Sequence, residues 1–497
     1  MGVIQRQSIS GVIWSYIGVG LGFITTAIIF TRVLETEEIG LLRLLVSYSS
    51  IIAIFASLGM NTVMVKLFPF FRDPASGHKG FLGIALVVSL AGFVVTSLGY
   101  ALLQPLIVDK AKESSALFVQ YFYTVIPLTF FTLLFGLLDT YYRVLFNAVK
   151  GIIYKEVAQR LLIIVAVGLY YFAIVDFTGL VWLYIFAYVA PSVMFVVSLA
   201  QSGQLHLRPG FRYVDETLKK NMISVAVFGI MASFSGVLVM SIDVIMIERF
   251  FDLSKAGVYT ISFFFGTLIL VPMRTMGKIG SVVIAEAWKN DDRATISNIY
   301  TRSSLTLTIM GLLLFIGIWG NIENVFHLVG DKFTEGRYVI LFISLANLAD
   351  VVMGMSSHII INSHLYRWQT YLLVFFAALI IVTNLLLIPI FGIVGAAIAS
   401  FLSKVLFNAV KFWFIRHHFG FQPLSFRHLW LGVIALGAWY LSTLLPALPN
   451  YIIDIIVRSA LLTALFVIPV YLLKISEDVN EKVESGLKGI LHFLKKP

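Results

Sequence analysis

Residues 31–71 read TRVLETEEIGLLRLLVSYSSIIAIFASLGMNTVMVKLFPFF. A polar hinge, Arg32 to Glu38, separates two apolar runs, one over residues 10–33 and the other over 40–66. At about 1.5 Å per residue, each is long enough to cross a bilayer core of about 30 Å as a helix. The hinge also recurs: RVLETEEIGLL from Arg32 has a counterpart, RFFDLSKAGVY, from Arg249. Both give Arg, two apolar residues, an acid, a short polar stretch, and then a glycine eight positions after the Arg, at Gly40 and Gly257. The offset of 217 residues places the first span on the seventh and the second on the eighth.

Two more correspondences follow in chain order. LFNAVK around Asn147 aligns with IINSHL around Asn362 at an offset of 215, and VDFTGLV around Gly179 aligns with PIFGIVG around Gly392 at 213. Together the offsets imply one six-helix unit, duplicated. An even number of spans separates the copies, so both lobes have the same orientation and are related by an axis along the membrane normal. Secondary transporters that rock two halves about a central site use such parallel repeats.

Working outward, the whole chain of 497 residues is 59% apolar and 12% charged. A soluble domain is about 45–50% apolar and about 25% charged, so a soluble enzyme is excluded. Apolar segments fall at 10–33, 40–66, 81–105, 118–143, 152–174, 178–201, 222–248, 257–280, 303–322, 338–362, 369–389, 393–415, 428–446 and 451–473. They are continuous and far longer than the roughly ten alternating residues of a barrel strand. The fold predicted is an all-α membrane protein of fourteen transmembrane helices: two six-helix lobes in parallel repeat plus two C-terminal helices. The N-lobe covers residues 1–201, a linker 202–221, the C-lobe 222–417, spans 13 and 14 residues 418–474, and a tail 475–497. Pro127, Pro191, Pro272 and Pro469 fall within spans and are expected to kink them.

The net charge of +10 raises nucleic acid as a partner. The basic residues, however, concentrate in the N-terminal arm, the even-numbered loops and the tail, which is how a cytoplasmic face is marked. That places both termini in the cytoplasm and removes nucleic acid as the explanation. The first apolar run is too long for a cleaved signal and is expected to stay as a span. The absence of cysteine excludes disulfides and thiolate chemistry. In the loop 281–302, Ile296, Ile299 and Tyr300 predict one face of a short surface helix. In the tail, Val479, Val483, Leu487, Ile490 and Leu494 predict an amphipathic helix on the inner membrane surface, capped by Ser476.

The stretch 31–71 resembles the opening hairpin of bacterial polysaccharide flippases, in the multidrug/oligosaccharidyl-lipid/polysaccharide (MOP) exporter superfamily. LLLIPIFGIVGAAIASFLSKVLFNAVKF, residues 385–412, is similar to that family's I-P-x-x-G-x-x-G-A-A-x-A-x pattern. The resemblance implies an exporter that moves undecaprenyl-pyrophosphate-linked oligosaccharide across the bacterial inner membrane by alternating access. By the same resemblance it has no cofactor beyond an ion gradient or membrane potential. Its partners would be membrane lipids and other polysaccharide-assembly membrane proteins, and the chain would act as a monomer.

Charges inside spans are costly unless they face a cavity or a partner. Asp350 in span 10 and Lys404 in span 12 sit near mid-depth. Two readings stand: a cavity in which Lys404 meets pyrophosphate and Asp350 an ion, or a buried pair that stiffens the C-lobe. Arg274 and Lys278 lie where a lipid-linked diphosphate would enter from the cytoplasm. Asp243 and Asp139 are further ion-coupling candidates, with Arg43 and Arg160 at matching depths as partners. Arg458 is expected to reach the outer interface or Asp454, and Asn147, Asn362 and Asn384 to bridge helices. GIVGAAIAS, from Gly392 to Ser400, predicts close helix packing.

No phosphate-binding G-x-x-x-x-G-K-[ST], H-E-x-x-H or G-x-S-x-G is present, and His417 and His418 lack spaced metal-ligand partners. Rival readings are a drug or cation antiporter of the same superfamily, the related lipid II flippase, and a membrane enzyme. Span 1 lacks the acid common in bacterial antiporters and the basic residues common in lipid II flippases. The outer loops are too short for a catalytic domain.

Overall fold

The computed structural model describes residues 3–111, 115–145 and 149–481, and their side chains except at 3–9, 109–111, 278 and 279. All regular structure among the described residues is helical. Among the described residues ten helices are long and apolar enough to cross a membrane, or eleven if a bent pair counts as one span.

That count is lower than fourteen for identifiable reasons. The segments expected as spans 11 and 12 form one 53-residue run, Arg367–Phe419, about 80 Å of helix. Gly392, at φ 61° and ψ −140°, leaves the helical region and divides it into 367–391 and 393–419. Segment 152–174 begins with a six-residue π-helical stretch, Ile153–Ala158, leaving only Gln159–Tyr171 as regular α-helix. Segment 338–362 bends by 50° between Arg337–Val352 and Ser356–Asn362. Phe426–Thr443 has 18 residues but opens on Arg427 and His428, which lower its apolarity.

The second expected span is also broken, into Thr36–Ala56 and Met60–Phe71, at Gly59. Gly59 is left-handed, φ 74°, and a Cβ there would stand 2.4 Å from the Ala226 carbonyl oxygen, so both conformation and packing require glycine. The prolines divide into two groups. Pro191 and Pro469 lie inside helices Phe177–Gln201 and Tyr451–Leu472. Pro127 and Pro272 instead follow short 3-10 turns, Phe122–Thr124 and Leu268–Leu270, that interrupt the helical runs Ala116–Val144 and Leu253–Gly277. The surface helix expected in 281–302 is absent as a separate element. Asp292 caps a single helix, Arg293–Gly320, and Ile296 and Tyr300 are fully buried in it.

The repeated hinge has a structural explanation. Glu35 and Glu38 form a capping box at the start of Thr36–Ala56, the Glu35 N–H donating to Glu38 Oε2 at 2.9 Å. Its counterpart 217 residues on, Asp252, accepts from the Lys255 N–H at 2.7 Å at the start of Leu253–Thr267. The two glycines then meet reciprocally. A Cβ on Gly40 would fall 1.9 Å from the Leu253 carbonyl oxygen, and one on Gly257 1.8 Å from the Thr36 carbonyl oxygen. Thr36 and Ser254 hydroxyls lie 2.7 Å apart beside them. Each glycine therefore lies against the start of the other's helix.

The chain forms two compact units, one running to Ile261 with Leu373–Ile393, the other comprising Ser262–Leu372 and the chain from Val394. The first has a core of Phe68, Phe71, Phe81, Tyr141 and Phe195; the second centres on Ile316, Leu431, Leu462 and Phe466. Of the tail, residues 477–481 are helical and the Val479 N–H lies 3.4 Å from Ser476 Oγ. The rest of the expected amphipathic helix lies outside the described residues, as does Asn147.

Candidate functional site

In the second unit two helices present polar stripes to each other. On Arg337–Val352, Asn347 and Asp350 are three residues apart and share a face. On 393–419, Lys404, Asn408 and Lys411 follow at the i, i+4, i+7 spacing of one face. Lys404 Nζ lies 2.7 Å from Asp350 Oδ2 and donates to Asn347 Oδ1 at 2.5 Å. Asn347 in turn donates to the Gly266 carbonyl at 2.8 Å, and Asn408 Nδ2 to Asp350 Oδ1 at 2.8 Å. Lys404 and Asp350, which the sequence left either lining a cavity or paired with each other, are joined as an ion pair within a fixed amide framework.

Sequence reasoning missed Lys411. It is 2% exposed, lies 4.6 Å over the Phe407 ring, and donates to Ser357 Oγ at 3.3 Å. The cluster therefore holds two ammonium groups and one carboxylate. Asn408 Oδ1 is buried without a hydrogen-bond partner and, being an acceptor, calls for a donor rather than an anion. An uncompensated buried charge costs several kcal/mol, so a site with excess positive charge is poised to take an anion. The i+7 spacing from Lys404 was the available signal.

In the first unit, Asp243 is 3% exposed and accepts from the Tyr259 hydroxyl at 2.5 Å and from Asn384 Nδ2 at 2.7 Å. Asn384 Oδ1 beside it is buried with no hydrogen-bond partner. Arg43 donates to the Met240 carbonyl at 2.9 Å. Asp139 pairs with Arg143 one turn on, at 3.2 Å, and Arg160 with Glu156 at 2.7 Å, so the expected Asp139–Arg160 level is filled by local pairs instead. Arg274 is exposed on Val271–Lys289, and the Lys278 side chain on the same helix lies outside those described. Arg458 binds Asp454 at 3.1 Å through two nitrogens, both residues buried, and Asn362 donates to the His358 carbonyl at 2.8 Å. Among the described residues no group of three or more His, Asp or Glu is placed to hold a metal.

A family model described as polysaccharide biosynthesis protein matches residues 6–271, more than half the chain. The chain belongs to the polysaccharide biosynthesis protein family. No curated protein matches it. Among solved structures, the lipid II flippase MurJ in an inward closed conformation aligns with a TM-score of 0.72 at 11% identity, covering 92% of this chain and 98% of that one. A multidrug resistance MATE family transporter of the MOP superfamily, inward-facing, aligns at 0.62 and 15% identity, over 84% and 95%. A MOP superfamily transporter from Pyrococcus furiosus, described by the reverse polarity of its binding pocket, aligns at 0.56 and 16%, over 84% and 95%. At these identities the likeness is one of fold, and this family member has the fold of MOP superfamily transporters.

Proposed function

We propose that the protein is a secondary transporter that flips undecaprenyl-pyrophosphate-linked oligosaccharide across the bacterial inner membrane for surface polysaccharide assembly. The observation that carries the reading is the buried cluster of Lys404 and Lys411 around the single carboxylate Asp350. A pyrophosphate carries the negative charge that such a site lacks, and two ammonium groups on one helix face match its two phosphates. Arg274 and Lys278, on Val271–Lys289, would receive the diphosphate as it enters. Support also comes from the family match and from the longer alignment with MurJ, which is described as a lipid II flippase.

In this reading the fourteen apolar segments are all spans, with Gly392 the turn between the eleventh and twelfth. Both termini are cytoplasmic and the protein works as a monomer, alongside other polysaccharide-assembly membrane proteins. Transport is driven by an ion gradient or membrane potential. Asp243 is the first candidate for ion coupling because the open Asn384 Oδ1 beside its carboxylate supplies a second oxygen for a cation. Asp350 and Asp139 follow.

Deleting the protein and analysing extracted prenyl-linked sugars tests this. Accumulation of one undecaprenyl-linked oligosaccharide on the cytoplasmic side is the expected result. No accumulation, together with heightened drug sensitivity, would overturn it in favour of an antiporter.

A further inference from the structure

Within the first unit, the chain from Leu205 to Tyr213 folds back over the turn 73–80 that joins Met60–Phe71 to Phe81–Leu102. The two segments enclose a cavity of about 610 Å³ at the ends of three apolar helices. Small-molecule sites occupy roughly 300–1,000 Å³. Lys79, His206, Arg208 and Arg212 line it, and no carboxylate does. Lys79 Nζ donates to the Phe70 carbonyl at 3.1 Å, Arg212 donates to the Tyr213 hydroxyl at 2.8 Å and lies 4.8 Å over that ring, and Arg208 is exposed. None of these three cations is in an ion pair among the described residues.

The backbone here is held in a shape it would not adopt alone. Gly77, His78, Lys79 and Gly80 have φ of 61°, 55°, 50° and 66°, four left-handed residues in succession, a conformation disfavoured for His and Lys. Buried His78 anchors the turn through Nε2, 3.1 Å from Gln204 Oε1. The Gly210 N–H donates to the Gly80 carbonyl, and a Cβ on Gly210 would stand only 1.8 Å from the Lys79 carbonyl oxygen. Turn and linker are locked together, and the lock sets the positions of Lys79 and Arg208. Of the lining residues, Leu207 and Phe211 are 56% and 51% exposed. At helix ends, basic groups beside exposed apolar ones suit the headgroup layer of a membrane, where acidic lipids gather.

We propose that this cavity binds the phosphate of an acidic lipid headgroup, with Lys79, Arg208 and Arg212 around the phosphate and Leu207 and Phe211 against the acyl chains. The proposal is independent of which substrate is transported.

The test uses the full-length protein in uncharged detergent, with native mass spectrometry after addition of phosphatidylglycerol or phosphatidylcholine. Wild type is expected to retain phosphatidylglycerol preferentially. Arg208→Gln/Arg212→Gln should bind it about 30-fold more weakly, roughly fivefold per basic residue. Lys79→Gln alone should lose about fivefold, which gives a second reading should the double variant misfold. Arg208→Lys/Arg212→Lys, and Lys219→Gln/Lys220→Gln farther along the linker, should keep the preference. Three results overturn the proposal: no preference in wild type, equal weakening in the Lys219 and Lys220 variant, or displacement of the lipid by millimolar inorganic phosphate, which would assign the cavity to a soluble anion.

Discussion

Lys411 is the residue whose burial asks most for an explanation. Nothing about packing two apolar helices requires an ammonium group at 2% exposure, and a methionine would fill similar volume without the charge. Lys411→Met is therefore expected to leave the melting temperature of the purified protein unchanged or raised, while transport of the lipid-linked sugar falls at least about tenfold, one charge-assisted contact's worth. Equal transport by the variant would remove Lys411 from the cargo site. The Asp350 and Lys404 pair calls for a different comparison. Asp350→Asn alone leaves Lys404 uncompensated and should destabilise by about 3–5 kcal/mol, whereas Asp350→Asn/Lys404→Met should recover most of that. If transport returns with stability in the double variant, the pair is a strut; the cargo reading expects it to stay lost. Asp350 and Lys404 were legible in the sequence because a charge in an apolar run has few reasons to be there. Asn347 and Asn408 were not, since neutral amides do not interrupt such a run. The contact between Asp243 and Asn384 joins positions 141 residues apart, which no local pattern encodes.

At the scale of elements, the recurring hinge combines two local devices, an acid that caps a helix and a glycine five positions later that lets backbones touch. Both were visible as a motif, but only the structure shows that the two copies of the glycine lie against each other's helix start. Helix propensity alone favours Gly40→Ala by about 1 kcal/mol. Because the new methyl would overlap the Leu253 carbonyl, the expected outcome is destabilisation by about 1–3 kcal/mol, read as a lowered melting temperature. Gly168→Ala, in Gln159–Tyr171 with open space where the methyl would go, should be neutral or stabilising in the same assay. A drop for both, or for neither, would mean that the Gly40 contact is not tightly packed. Helix ends were the least readable feature. Asp292 marked a cap, but apolar periodicity could not tell a short surface helix from the first turns of Arg293–Gly320, since Ile296 and Tyr300 face protein in the longer element.

For the whole molecule, hydropathy reveals which segments are apolar but not where the backbone breaks. Left-handed or bent positions at Gly59, Gly392 and Met353–Met355 divide or fuse segments that composition treats alike. Orientation rests instead on where Lys and Arg fall, and the chain's composition makes that directly testable. It has no cysteine, so any cysteine introduced is unique. Thr334 is exposed in the connection between Ile322–Val329 and Arg337–Val352, on the side with few basic residues, and Thr217 is exposed at the start of Glu216–Phe250, in the basic linker region. In intact cells, a membrane-impermeant maleimide is expected to label Thr334→Cys and to leave Thr217→Cys unlabelled until the membrane is permeabilised. The reverse pattern would place both termini outside and leave Arg274 and Lys278 on the wrong side to receive a diphosphate from the cytoplasm. Labelling of both positions in intact cells would mean that the number of crossings between residues 217 and 334 is even, and the fourteen-span count with it would fail.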